Sequence, residues 1–115
     1  MSGLTTHILD TAAGRPAEGV VVRVSARRGE TVSLLSETRT DADGRARLVE
    51  GVELTVGRYR LEFAVADYFK GSGAVVSDPP FLDVVVIDFA VADAAQHHHV
   101  PLLVSPFAYS TYRGS

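Results

Sequence analysis

The residues best suited to chemistry near neutral pH are four histidines, three of them consecutive as His97-His98-His99 and the fourth, His7, in the opening stretch Leu4-Thr5-Thr6-His7-Ile8-Leu9-Asp10. Imidazole titrates near pH ~6.5 and also ligates metals, so spacing has to decide between its uses. On an extended chain His97 and His99 point to one face and His98 to the other, and at most two of the triplet share a site. Two readings stay open on spacing alone. One is a solvated histidine cluster at a strand entrance; the other is a zinc site of two same-face imidazoles with His7 as third ligand. No cysteine or carboxylate at ligand spacing reinforces the second. Asp41-Ala42-Asp43-Gly44 resembles a calcium loop only superficially, because such a loop has glycine at its sixth position and a bidentate Glu at its twelfth. Here the glycine is fourth, and a turn is the better reading. Gly71-Ser72-Gly73 lacks the length and the Lys-Ser/Thr ending of a phosphate cradle, and no Gly-x-Ser-x-Gly elbow occurs, which disfavours a covalent serine mechanism.

The elements that must position these residues are mostly strands. Val20, Val22, Val24 and Ala26 alternate with Val21, Arg23, Ser25 and Arg27, a period of two. Leu34 to Thr40 continues in extended style as far as Asp41-Ala42-Asp43-Gly44, where Asp-Gly predicts a hairpin returning through Arg45 to Val49. Tyr59, Leu61 and Phe63 alternate with three charged residues. Ala64 to Lys70 is the one helix candidate, ahead of the Gly71-Ser72-Gly73 break. Strands are predicted again over Phe81 to Ala90, His97 to Val104 and, after the Ser105-Pro106 corner, Phe107 to Arg113. At least seven short strands and one helical turn describe an all-β fold, a two-sheet antiparallel sandwich in a single domain spanning 1–115.

Composition narrows the class of protein. With 115 residues, 46% of them hydrophobic, 22% charged and a net charge of −3, the chain has the balance of one globular domain. An acidic balance without a basic stretch argues against a nucleic-acid partner. No apolar run reaches the ~20 residues of a membrane span, and no secretory leader precedes Leu4, so a soluble cytoplasmic protein is expected. The absence of cysteine excludes disulfides and thiolate metal sites. Residues 71–115 carry only Asp78, Asp83, Asp88, Asp93 and Arg113 as charges, which reads as interior or assembly surface.

Taken in order, LTTHILD, TDADGR, GRYRLEF, HHHVPLLVSP and the terminal YSTYRGS resemble the 5-hydroxyisourate hydrolases, the transthyretin-related proteins of purine breakdown. The resemblance covers essentially the whole chain. It implies a transthyretin-like sandwich with one short helix, assembled as a homotetramer (a dimer of dimers) around a channel. Residue by residue, His7 matches the first-strand histidine, Arg45 the turn arginine, His99 the second histidine of the usual His-Tyr-His, and Tyr112, Arg113, Gly114 and Ser115 the closing tetrapeptide. His98 departs from the family, which more often has an aromatic there.

The implied reaction is hydrolysis of 5-hydroxyisourate to 2-oxo-4-hydroxy-4-carboxy-5-ureidoimidazoline, with no metal or other cofactor. A neutral imidazole, His7 or His99, would take a proton from the attacking water, and Arg45 would hold the charge that develops on the carbonyl oxygen. His97, Ser110, Tyr112, Arg113, Gly114 and Ser115 are the expected substrate-binding residues, and an extension beyond Ser115 is expected to harm activity more than folding. Two other classes stand beside this one. A non-catalytic transthyretin-like carrier would bind small hydrophobic ligands without needing His7, Arg45 and His99 together, and an adhesion or carbohydrate-binding sandwich would be a monomer.

Overall fold

The computed structural model describes residues 3–50 and 54–114. Among these residues nine strands and one helix follow in the order β1 (Gly3–Asp10), β2 (Arg15–Pro16), β3 (Val21–Arg28), β4 (Thr31–Arg39), β5 (Arg45–Glu50), β6 (Gly57–Phe63), α1 (Val65–Ser72), β7 (Val85–Val91), β8 (His97–Val104) and β9 (Tyr109–Thr111). They form a five-stranded sheet, β2-β1-β8-β9 with β5 also on β1, and a four-stranded sheet, β4-β3-β6-β7. The inner faces meet in a core that includes Leu4, Ile8, Val22, Val24, Leu61, Phe63 and Leu102, each fully buried. Alternation places them there: β1 buries Leu4, Thr6, Ile8 and Asp10 and turns Thr5, His7 and Leu9 outward.

The helix covers one end of the core with Val65, Ala66 and Phe69, and Gly73 stops it in the left-handed region at φ 80°. Its Tyr68 hydroxyl donates to Asp10 Oδ2 at 2.7 Å, while Oδ1 of the same carboxylate accepts the Ala12 and Ala13 N–H groups. Burial and the adjacent carboxylate both push the Tyr68 hydroxyl's pKa up, which keeps it a donor.

Several sequence expectations are corrected. The turn at Asp41–Gly44 is tight, but it is not a hairpin: β4 pairs with β3 and β5 with β1, so the chain changes sheets there. The reason is local. Ile8 N–H donates to the Gly44 carbonyl at 2.8 Å, docking the turn on β1, and a Cβ at Gly44 would lie 2.5 Å from the Ile8 oxygen. The sandwich is antiparallel except at β1 and β8, which run parallel from Gly3↔His97 to Asp10↔Val104. Phe81 to Val84 are not strand, and the last strand is confined to Tyr109–Thr111. The charge-poor last third is interior only in part: Val85, Val91, Leu102 and Val104 are buried, whereas Phe81, Phe107 and Tyr112 are 70%, 56% and 60% exposed in the single chain. No helix among the described residues is long and apolar enough to cross a membrane.

Candidate active site

Strand register gathers the polar face of the larger sheet. Laterally paired residues point the same way, so each pairing across β1 places two side chains beside a third. Thr5 pairs with Arg47 on β5 and with His99 on β8; His7 pairs with Arg45 on β5 and with Pro101 on β8. The Thr5 Oγ1 atom lies 2.9 Å from His97 Nε2 and 2.9 Å from His99 Nδ1, joining the two same-face histidines through one hydroxyl. His98 points inward, is 6% exposed, and donates from Nδ1 to the Gln96 carbonyl at 3.0 Å. The solvated triplet of the first reading is thereby corrected: its middle member is buried. Among the described residues, no three His, Asp or Glu side chains converge as a metal site would require.

A cleft of about 270 Å³ opens on this face, lined by Thr5, Thr6, Asp41, Arg45, Ala46, Arg47 and His99. The turn chemistry read from the sequence sets its far wall: Asp41 Oδ1 accepts the N–H of Asp43 at 2.9 Å and of Arg45 at 3.0 Å, fixing the backbone from which the Arg45 guanidinium extends. Larger clefts, of about 620 and 510 Å³, flank the helix and contain none of the candidate residues. Volume alone would have misplaced the site. The smaller cleft is shallow because its floor is the outer face of a sheet.

Electrostatics single out His99. Burial holds its pKa below the ordinary histidine value, and positive charge from Arg45, His7 and His97 pushes in the same direction. Near neutral pH His99 is therefore the uncharged imidazole that a base must be. The chain's last segment fixes the ring's position: Gly114 N–H donates to the His99 carbonyl at 2.7 Å, and a Cβ on Gly114 would lie 2.6 Å from His99 Cδ2. Only glycine fits beside this ring without moving it.

His7, Ser110, Tyr112 and Arg113 do not line this cleft. Ser110 is exposed on β9 opposite Leu103, and Arg113 donates to Gln96 Oε1 at 2.9 Å. Tyr112 and Arg113 line a second cleft of about 340 Å³ with His98, Thr111 and part of β7, and His99 lines this cleft as well as the first. Ser115 lies outside the described residues. Two residues of the site were missed by the sequence reading, Thr5 and Arg47. Their only sequence signal is a spacing of two, Thr5-x-His7 and Arg45-x-Arg47.

The HIUase/Transthyretin family profile matches residues 4–114. The chain is 73% identical over 115 residues to the 5-hydroxyisourate hydrolase of Caulobacter vibrioides, covering all of both chains. It is 54% identical to that of Deinococcus radiodurans, covering 98% of this chain and 96% of the relative. Among solved structures, the Klebsiella pneumoniae 5-hydroxyisourate hydrolase superposes with a TM-score of 0.83 at 37% identity over all of both chains. Transthyretin from Sparus aurata superposes with a TM-score of 0.88 at 29% identity, covering 99% of this chain and 97% of that one. An (S)-allantoin synthase superposes with a TM-score of 0.91 at 41% identity, and there the match covers 99% of this chain but only 44% of that longer one.

Proposed function

Since the chain belongs to the HIUase/transthyretin family, we propose that it hydrolyses 5-hydroxyisourate, as its relatives' names describe, and does so in the cleft between β1, β5 and β8. The observation that carries the proposal is that Arg45 and His99 line one cleft, with His7 paired beside Arg45 and His99 held uncharged. A carrier of the transthyretin kind has no use for that combination.

The reaction is attack of water on a cyclic amide carbonyl. His99 removes the water's proton, with His7, paired to Arg45, within electrostatic reach; the depressed pKa of His99 keeps its ring available as a base below neutrality. As the carbonyl oxygen gains negative charge, the Arg45 guanidinium stabilises it through fixed N–H donors, which a lysine ammonium would match less well. The carbon–nitrogen bond then breaks, the ring nitrogen receives a proton and a carboxylate is left. Arg47, beside Arg45 in the same cleft, supplies a second cation for that product charge. His97, Ser110, Tyr112, Arg113, Gly114 and Ser115 serve substrate binding, Gly114 by letting the His99 ring sit where it does.

We further propose a cytoplasmic homotetramer, a dimer of dimers. Supporting it are the exposed Phe81, Phe107, Tyr109 and Tyr112 of the charge-poor last third, with the Phe81 and Phe107 rings 6.3 Å apart in one apolar patch. A second copy over the shallow cleft would wall it and bring Ser110 and Tyr112 of a neighbouring chain within reach of substrate. The experiment generates 5-hydroxyisourate in place by oxidising urate, adds chelator-treated protein, and follows the ultraviolet decay against a no-protein control, with sedimentation giving the assembly. Accelerated decay by a species of four chains is expected. Unchanged decay by a folded tetramer would refute the hydrolase reading and leave the carrier.

A further inference from the structure

One threonine hydroxyl stands between two imidazoles, and its hydrogen count constrains both rings. Thr5 Oγ1 carries a single hydrogen and two lone pairs, yet it makes 2.9 Å contacts to His97 Nε2 and to His99 Nδ1. It donates to one ring and must accept an N–H from the other when both are neutral. Only two arrangements satisfy this. In the first, His99 Nδ1–H donates to Thr5, Thr5 donates to His97 Nε2, and His99 Nε2 is a bare lone pair. In the second every hydrogen has moved one place: His97 Nε2–H donates to Thr5, Thr5 donates to His99 Nδ1, and His99 Nε2 carries a proton. The first arrangement is a base facing the cleft, and the second is an acid.

We propose that His99, Thr5 and His97 form a proton relay in which Thr5 couples the catalytic imidazole to a second one at the solvent edge. The proposal rests on the hydrolase reading and assigns the water's proton to His99 rather than His7. The cycle balances. As water attacks, its proton goes to His99 Nε2; the Nδ1 proton passes to Thr5, the Thr5 hydrogen passes to His97 Nε2, and exposed His97 releases its Nδ1 proton to solvent. When the carbon–nitrogen bond breaks, His99 Nε2–H protonates the leaving nitrogen and the same hydrogens return, His97 regaining one from solvent.

The surroundings favour a conduit over an anchor. In a charge-stabilised triad a carboxylate sits behind the histidine and holds the imidazolium. Behind His99 stands a neutral hydroxyl instead, and the groups facing the ring are His7 from β1, Arg45 and Arg47 from β5, His97 from its own strand, and Asp41 across the cleft. Most of these disfavour a lasting positive charge on His99, whereas His97 is open to water. The Thr5 backbone is fixed by ladders on both sides, to Arg47 and to His99, and its oxygen is held between the rings by the two 2.9 Å contacts.

The test uses the full chain as Thr5→Val, which keeps the shape and removes the hydroxyl, and Thr5→Ser, which restores the hydroxyl. Without substrate, nitrogen-15 spectra of the wild type are expected to show His97 and His99 in the same tautomer, because each arrangement places both hydrogens on Nδ1 or both on Nε2; Thr5→Val uncouples them. In the hydrolysis assay Thr5→Val is expected to lower kcat about 10- to 100-fold with KM within about twofold, and Thr5→Ser to recover most of it. Rings with opposite tautomers in the wild type, a Thr5→Val kcat equal to wild type, or a Thr5→Ser as slow as Thr5→Val would each overturn the relay. Coupled tautomers in a wild type that leaves 5-hydroxyisourate untouched would sustain the relay and refute the substrate.

Discussion

Replacing Gly114 with alanine separates site geometry from stability more sharply than any change to a catalytic side chain. The new methyl would begin 2.6 Å from His99 Cδ2 and 3.2 Å from both Cβ and Cγ of the same residue. To reach 3.0 Å, a limit real contacts almost never cross, the nearest ring atom must retreat by 0.4 Å; to reach an ordinary 3.4 Å it must retreat by 0.8 Å. Translation carries Nδ1 along with Cδ2, and rotation about the Cβ–Cγ bond swings it the opposite way. Either movement disturbs the 2.9 Å contact to Thr5. A misplacement of about 1 Å at a reacting group costs up to about 10²-fold, so Gly114→Ala is expected to lower kcat by about 10- to 100-fold. Stability should scarcely move, because Gly114 has no positive φ and contributes one isolated bridge to β8. The ultraviolet decay assay gives kcat, a thermal melt gives stability, and ring shifts of His99 report its displacement. A Gly114→Ala protein with wild-type kcat would refute the idea that this glycine positions the ring.

His7→Ala and His99→Ala are each expected to lower turnover by at least about 10²-fold in the same assay, as loss of acid–base groups does, and wild-type rates in both would remove them from the mechanism. Arg45→Ala should cost about 10²- to 10³-fold as a lost oxyanion donor. It should also move the acid limb of the kcat/KM profile upward, because the Arg45 charge is one of the causes holding the His99 pKa down. For the native protein that limb lies below the ordinary histidine value, the opposite of what a carboxylate-paired histidine gives. The same depression links to stability: the unfolded ring protonates first, so His99's contribution falls as pH drops from about 6.5 through the folded pKa and is constant below it, as acid melts would show. Tyr68→Phe should cost about 1–2 kcal/mol in denaturant titrations through the lost bond to Asp10, with kcat unchanged.

Strand existence was legible where residues alternate, throughout β6 and in β3 as far as its bulge at Val24/Ser25, and the placement of His97 and His99 on one face follows from the two-residue repeat of any extended chain. Arg45 was legible through its turn and the resemblance. Thr5 was not, since a threonine in a strand is ordinary and its two ring contacts span 92 and 94 residues. The Asp41–Gly44 turn was located correctly and connected wrongly. Asp-Gly chemistry specifies a reversal of the chain, whereas the sheet the chain joins afterwards depends on the distant Ile8 N–H that captures Gly44. Which parts of residues 71–115 are core and which are exposed was not legible, because depletion of charge does not distinguish a core from a surface that a second copy covers.

The parallel ladder between β1 and β8 has a consequence for biosynthesis. Thr5 precedes His97 by 92 residues, and at about 5–20 residues per second a ribosome takes on the order of 5–18 s to deliver the second after the first. During that interval β5 can occupy one edge of β1, but the other edge, with the apolar Leu4 and Ile8 beside it, has no strand to accept its amides. An open apolar edge is where nascent chains associate wrongly. The order of strands along the message thus leaves β1 paired on one edge only until β8 is made, and slowing translation through β6 and β7 is expected to lower the yield of folded chain.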